Sequence, residues 1–213
     1  MKKSVWTDSI KLPEFPKADK EMKTEVLIIG GGICGILCAY MLEQKGIDYI
    51  LVEGSRIGYG ITKNTTAKIT SQHGLIYNKL IKSVGREKAQ MYLSANEKAL
   101  REYRLIAENI DCDFETKDAY VYSINDRKKI EDEVSAVNSL GFNAEFASET
   151  SLPFKTAGAV KFKNQAQFNP MKFLNEIVKG LNIYENTFIT DISENWTKFD
   201  GGKILADKII VAT

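Results

Sequence analysis

Histidine occurs once in these 213 residues, cysteine three times and proline four times. Each scarcity closes off a class of function. His73 alone cannot build a histidine-based metal set. Cys34, Cys38 and Cys112 contain no C-x-x-C pair, so zinc lacks ligands and no metal site is expected. Three thiols cannot make a disulfide framework, and they fit a reduced, cytoplasmic protein. Charge of one sign is also missing. Lys+Arg 29 against Asp+Glu 28 leaves a formal charge of +1. That balance gives no electrostatic footing for nucleic acid or an anionic membrane surface. Long apolar runs are absent, apart from residues 26–42, which carry no charge. That length is the bottom of the roughly 17–25 residues a span requires, and glycines crowd its first half, so no membrane span is expected. Lys2 and Lys3 precede polar residues and prolines rather than an apolar stretch, so no signal peptide is read.

What is present is an ordinary globular composition, 44% hydrophobic and 27% charged. Residues 1–23 hold Pro13 and Pro16 and read as an extended arm, anchored by Trp6 and Phe15. Residues 25–29 read as a buried strand, 33–45 as a helix stopped by Gly46, and 48–53 as a second strand. The three make a βαβ unit with a right-handed crossover. Cys34 and Cys38, four apart, share one face of that helix.

Residues 54–71 form a Gly/Thr/Ser-rich loop without periodicity, a length that in compact domains is usually functional. Residues 75–110 read as helix, broken near Gly85, with an apolar stripe of Tyr92, Ala95, Ala99, Tyr103 and Ile106. A strand over 119–124, a helix over 127–140 closed by Gly141 and a strand over 157–163 follow. Asn169-Pro170 is a helix start, with Asn as N-cap and Pro at the first helical position. Gly180 stops that helix. Short strands fill 183–213, with a hairpin at Asp200-Gly201-Gly202. The closing "KIIVAT" reads as a buried strand with nothing after it, so an N-terminal fragment is expected.

The densest signal is "VLIIGGGICG", residues 26–35. Gly30, Gly32 and Gly35 form G-x-G-x-x-G between a strand and a helix. The first glycine allows the tight turn, the second admits a pyrophosphate to the backbone, and the third lets the helix lie close to the sheet. The helix N-terminus then offers free N–H groups and the positive end of its dipole to an anion. Glu53 ends the second strand, 23 residues after Gly30. That matches the spacing of about 20 for an acid that binds ribose hydroxyls. Such an acid admits FAD or NAD and argues against NADP.

With these motifs in place, "VLIIGGGICGILCAYMLEQKGIDYILVEGSRIGYGITKNTTAKITSQHG" resembles the N-terminus of FAD-dependent oxidoreductases related to D-amino-acid oxidase and glycine oxidase. It is most similar to a bacterial branch that carries a C-terminal Rieske domain. "NTTAKITSQHGLIY", "QFNP", "IYENTFITDI" and "GGKILADKIIVAT" extend the likeness along the chain. The resemblance implies FAD, with a [2Fe-2S] cluster only beyond these residues. It also implies an α/β fold: a Rossmann-like FAD-binding domain with a parallel sheet, plus part of an inserted α+β substrate domain. The implied domains are an arm at 1–23, the first part of the FAD domain at 24–115, a partial substrate domain at 116–165, and the second FAD part at 166–213.

By the same likeness Gly30, Gly32 and Gly35 meet the pyrophosphate and Glu53 the ribose. Ile33, Gly54 and Ser55 belong with them. Gly60, Thr62, Asn64, Thr65 and Thr66 form the loop running toward the isoalloxazine. Ile189 meets adenine through its backbone, and Ala212 lies near the flavin. Asn64 replaces the Arg or His of relatives, including the His that carries covalent flavin, so covalent attachment there is not expected. Ala67 stands where many relatives have Gly. Lys68 is either a flavin-facing cation or a solvated lysine, and His73 a hydrogen-bonded structural residue with a flavin-proximal role left open.

The expected function is the FAD-binding part of an oxidoreductase that takes hydride from an amine or amino-acid-like small molecule and passes electrons to an acceptor. No catalytic residue is assigned, and no Ser/His/Asp constellation points to hydrolysis. Two alternatives stay open: a dinucleotide-binding module without turnover, and an NAD-dependent dehydrogenase domain.

Overall fold

The computed structural model describes residues 4–8 and 10–213. The chain forms two compact units, one of residues 1–66 and 169–213, the other of residues 67–168. The divisions expected at 115/116 and 165/166 were those the resemblance implies. The compact units part elsewhere because the helices after residue 76 share a core with the strands up to residue 168.

The first unit is built on strand β1 (Met22–Ile29), helix α1 (Ile33–Glu43) and strand β2 (Tyr49–Val52). Strand β1 starts earlier than expected because Met22, Lys23 and Thr24 pair with residues 204–206 of a later strand. Val26 to Ile29 and all of β2 are buried. Such uninterrupted apolar strands belong to a parallel sheet covered on both faces. The uncharged run 26–42 is thus divided between a strand, a turn and a helix. No helix of the described residues is long and apolar enough to cross a membrane.

The second unit holds strand β3 (Lys68–Ile69), helices α2 (Tyr77–Val84) and α3 (Arg86–Ala107), strand β4 (Glu115–Ser123), helix α4 (Arg127–Ser139), and strands β5 (Ala144–Ala147) and β6 (Gly158–Gln167). Strands β3, β4 and β5 all pair antiparallel with β6. Tyr77, Ala89, Leu93, Ile130, Val137 and Phe162 meet in one core.

Strand β5 is an element that no sequence pattern announced, because four residues give too little alternation to register. One expectation fails here. The stripe of α3 is Ala89, Leu93, Leu100 and Ala107, not the one built on Tyr92, Ala95 and Ala99. The leucines, being larger and fully apolar, turn the helix by about one residue relative to the expected face. The break at Gly85 is as expected, with Gly85 at φ +87°.

The first unit resumes with helix α5 (Pro170–Ile177) and strands β7 (Ile183–Tyr184), β8 (Ile189–Ile192), β9 (Trp196–Phe199) and β10 (Gly202–Val211). The Asn169 side chain accepts from the N–H groups of Met171 and Lys172, as its N-cap role requires. The sheet order is β7-β2-β1-β10-β9-β8, with the first four strands parallel. Helices α1 and α5 pack together, and Leu27, Ile29, Ile50, Val52, Ile204 and Phe199 fill a core in the same unit. The end of β10 departs from expectation. Ile209 and Ile210 are half-buried and Val211 is exposed, because β9 pairs only as far as Leu205 and, among the described residues, 208–211 are bonded to β1 alone.

Candidate functional site

The site grows from the turn between β1 and α1. Gly30 sits at φ +115°, where a side chain is strained, and a Cβ there would lie 2.7 Å from the Ala212 carbonyl oxygen. Ala212 is held in turn by its N–H to Ile29 O at 2.8 Å. At Gly35 a Cβ would run into the Gly30 carbonyl oxygen. Both glycines let α1 rise directly off the strand.

Gly32 is different. Its backbone is extended, φ −74° and ψ 175°, which any residue adopts. The nearest atom to a Cβ there is Thr62 Oγ1 at 3.6 Å, an ordinary contact. Among the described residues no close contact requires a glycine at this place.

Helix α1 begins with no side-chain cap. Ile36 N–H is the first to reach a helix carbonyl, Gly32 O at 3.0 Å. Ile33 N–H donates to Thr62 Oγ1 at 3.1 Å. Thr62 therefore spends an acceptor lone pair on the helix and keeps its O–H as a donor. The rest of the first turn keeps the N–H excess and positive dipole end that attract an anion.

Glu53 faces this turn. Its Oε2 accepts from Gly31 N–H at 2.7 Å, and its Oε1 from Ser55 N–H at 2.8 Å. Two backbone donors fix the carboxylate, while each oxygen retains a lone pair for a ligand hydroxyl. The strand end is braced by Glu53 N–H to Tyr184 O at 2.8 Å and Thr187 N–H to Glu53 O at 2.9 Å. The half-buried Ile189 follows the exposed Phe188, whose ring lies where a side chain on Gly54 would stand.

The expected site residues are therefore not all alike. Gly30, Gly32, Ile33, Gly35, Glu53, Ser55, Thr62 and Ala212 are joined by hydrogen bonds or close backbone approach. Gly54 and Ile189 adjoin them through Phe188. Gly60, Asn64 and Thr66 are exposed, and Asn64 Nδ2 reaches only Gly60 O, at 3.4 Å. Thr65 turns inward to the arm, accepting from Trp6 Nε1 at 2.9 Å. Cys34 is exposed and Cys38 half-buried, and burial, with Cys34 beside it, pushes the Cys38 thiol up. Among the described residues no group of three or more His, Cys, Asp or Glu could hold a metal.

Sequence reasoning missed two features. Gly31 was passed over as the spacer of the motif, yet a Cβ there would meet Ile57 Cγ2 at 2.7 Å and Glu53 Cβ at 2.9 Å. The triple glycine was the available signal. Glu185 was also missed. It is fully buried, and its partners lie 128 and 170 residues away in sequence, so no local pattern reveals it.

In the other unit, His73 Nδ1 lies 2.9 Å from Tyr92 Oη, and Lys68 is exposed on β3. Ala67 sits at φ +58°, a region that favours glycine. That matches the glycine the resemblance implies at this place.

Residues 25–213 match the family described as FAD dependent oxidoreductase. The chain is 36% identical over 198 residues to YhfW of Bacillus subtilis (strain 168), which is named as a Rieske 2Fe-2S iron-sulfur protein. That match covers 89% of this chain and 39% of YhfW. It is 27% identical to gamma-glutamylputrescine oxidoreductase of Escherichia coli (strain K12), covering 55% of this chain and 28% of that protein. In structure it is similar to L-proline dehydrogenase from P. horikoshii, with a TM-score of 0.71 at 18% identity, over 91% of this chain and 53% of that one. The chain thus spans less than two thirds of each of these proteins.

Proposed function

From the premise that this chain belongs to the FAD-dependent oxidoreductases, we propose that it is the FAD-binding portion of an enzyme that oxidises an amine or amino-acid-like substrate. The observation that carries the reading is Gly32, a glycine that no contact within the chain demands. Its missing side chain leaves room for a group from outside, beside an uncapped helix N-terminus and a fixed carboxylate.

These residues fit FAD. The backbone from Gly30 to Gly35, with the Thr62 hydroxyl, would hold the pyrophosphate. Glu53 would accept from the ribose hydroxyls, and the backbone of Ile189 would meet adenine. The Gly60–Thr66 segment would run toward the flavin. When bound, FAD supplies the acceptor for a hydride. The chain's own part is to bind and orient: donors fixed before the ligand arrives need no rearrangement to meet its charge.

The substrate class is supported by two proteins this chain is similar to, gamma-glutamylputrescine oxidoreductase and L-proline dehydrogenase, whose names give an amine and an amino acid as substrates. The Rieske name of YhfW supports a [2Fe-2S] cluster, as the electron acceptor, held by residues other than those described here.

The test is to purify the full-length protein and identify its nucleotide after heat release. FAD at about one per chain is expected, with flavin bleaching on addition of a suitable amine. Glu53→Gln should weaken dinucleotide affinity by about 1–3 kcal/mol, the scale of a charge-assisted hydrogen bond. A bound nicotinamide dinucleotide, or unchanged affinity in the variant, overturns the reading.

A further inference from the structure

One residue of the glycine turn, Gly31, has both of its backbone polar groups fixed. Gly31 N–H is taken by Glu53 Oε2 at 2.7 Å, and Gly31 O accepts from Gly58 N–H at 2.8 Å. A trans peptide points its C=O and its N–H in opposite directions. The bond from Gly58 therefore turns Gly32 N–H away from the 53–58 loop. The orientation of that donor depends on where Gly58 is held.

Gly58 is held by Glu185 and the arm. Glu185 is fully buried at the end of β7. Its Oε1 accepts from Ile57 N–H at 2.8 Å, next to Gly58. Its Oε2 accepts from Phe15 N–H at 3.2 Å and lies 3.3 Å from Arg56 Nε. Arg56 also reaches Glu14 Oε1 at 3.2 Å and the Pro13 carbonyl at 3.2 Å. Leu12, 1% exposed, sits over Gly58: a Cβ there would be 3.0 Å from Leu12 Cδ1. A buried ion pair is seldom the most stable filling for such a space. What it adds over apolar packing is direction, since each carboxylate oxygen fixes a particular N–H.

We propose that Glu185, with Arg56 and Leu12, is a positioning residue for the Gly31–Gly32 peptide, so that the N-terminal arm sets the grip on the pyrophosphate. The proposal rests on the dinucleotide reading of the turn. It concerns only the phosphate half of the ligand, because the base and ribose are met by Ile189 and Glu53.

The experiment titrates flavin-stripped full-length protein with ADP and, separately, with adenosine. Both carry base and ribose; only ADP carries a pyrophosphate. Glu185→Gln keeps the volume but replaces one acceptor oxygen with a donor, so one of its backbone or guanidinium partners loses its bond. ADP affinity is expected to fall about tenfold, while adenosine stays within about twofold. A purely structural role would lower melting temperature and leave the ADP-to-adenosine ratio unchanged, and that result overturns the proposal. Leu12→Ala, which frees Gly58 without burying an unpaired charge, should shift the ratio the same way by a few-fold. It decides the matter if Glu185→Gln fails to fold. Absence of ADP binding in the unaltered protein overturns the dinucleotide reading and the positioning role together. ADP binding that both variants leave intact overturns the positioning role alone.

Discussion

Two helices, one in each unit, start with no capping side chain of their own, and the chain treats them in opposite ways. Helix α2 begins at Tyr77, and its first amides are answered from within. Glu133, reaching over from α4 and only 2% exposed, accepts from Tyr77 N–H at 2.7 Å and from Asn78 N–H at 3.0 Å. Helix α1 begins at Ile33, and among the described residues the side chain that answers it is the neutral Thr62 hydroxyl. Both termini have the same electrostatic demand, unsatisfied N–H groups and a positive dipole end. At α2 the fold supplies its own carboxylate, and the terminus is part of the core. At α1 it withholds one, and the nearby acid, Glu53, is instead held by Gly31 and Ser55. The proposed anion site is thus the helix start to which the described residues supply no carboxylate.

The largest expected effect separates folding from binding within the first unit. Gly35→Val drives a side chain into the Gly30 carbonyl and should cost more than about 3 kcal/mol, because α1 cannot then lie on β1. Gly32→Val places its Cβ at an ordinary contact distance from the described residues and should cost less than about 1 kcal/mol, yet lose dinucleotide binding. Denaturation followed by tryptophan fluorescence reads this cleanly, since Trp6 and Trp196 both lie in the first unit. Equal destabilisation by both variants would remove the distinction between a structural and a ligand glycine.

Next in size, Glu133→Gln should destabilise the second unit by about 2 kcal/mol, the cost of weakening a buried charge-assisted cap. Hydrogen exchange at residues 77–84 should quicken while ADP affinity is unchanged. Protection that does not change would mean that α2 needs no internal anion, and the contrast with α1 would fall.

The smallest effect is on alkaline stability. Burial, together with the hydrogen bond from Tyr49 Oη to Glu43 Oε2 at 2.9 Å, pushes the Tyr49 hydroxyl up to about 12. Burial raises Tyr77 in the second unit in the same direction. A phenol whose folded value is raised is neutral in the folded protein and ionises first in the unfolded chain. Its stabilisation is complete below about pH 10 and is lost as pH rises toward 12, up to about 2 kcal/mol for Tyr49. Tyr49→Phe should flatten that fall in the first unit, and Tyr77→Phe in the second. An unchanged slope in either variant would show that its tyrosine does not carry the effect.

Much of the first unit was legible because its signals are local. The βαβ unit, the glycine spacing, the Asn169-Pro170 start and the hairpin before β10 each occupy a short stretch with its own chemistry. The α3 stripe was misplaced because tyrosine and alanine were weighted like leucine. The roles of Glu133 and Glu185 were out of reach. Each looks like a solvated acid in sequence, and each is buried only because amides from distant segments converge on it. Gly32 was legible as a motif position. The structure adds the size of the difference from Gly35: a Cβ at Gly35 would collide with the Gly30 carbonyl, while one at Gly32 would make an ordinary contact.

The second unit closes on itself at its own ends. Phe168 N–H donates to Ala67 O at 3.3 Å, and Lys68 pairs with Gln167. For the chain as a polymer, those ends form a neck. Before residues 67–168 fold, bringing β7 to β2 means closing a loop from Val52 to Ile183; once they fold, the insert counts as a single short link. The effective loop shortens about fourfold, which lowers the entropic cost of assembling the six-stranded sheet by about 1 kcal/mol. The same neck makes the insert a module whose length hardly matters to the sheet that hosts it, so it can lengthen or change without reopening the seam between β1 and β10.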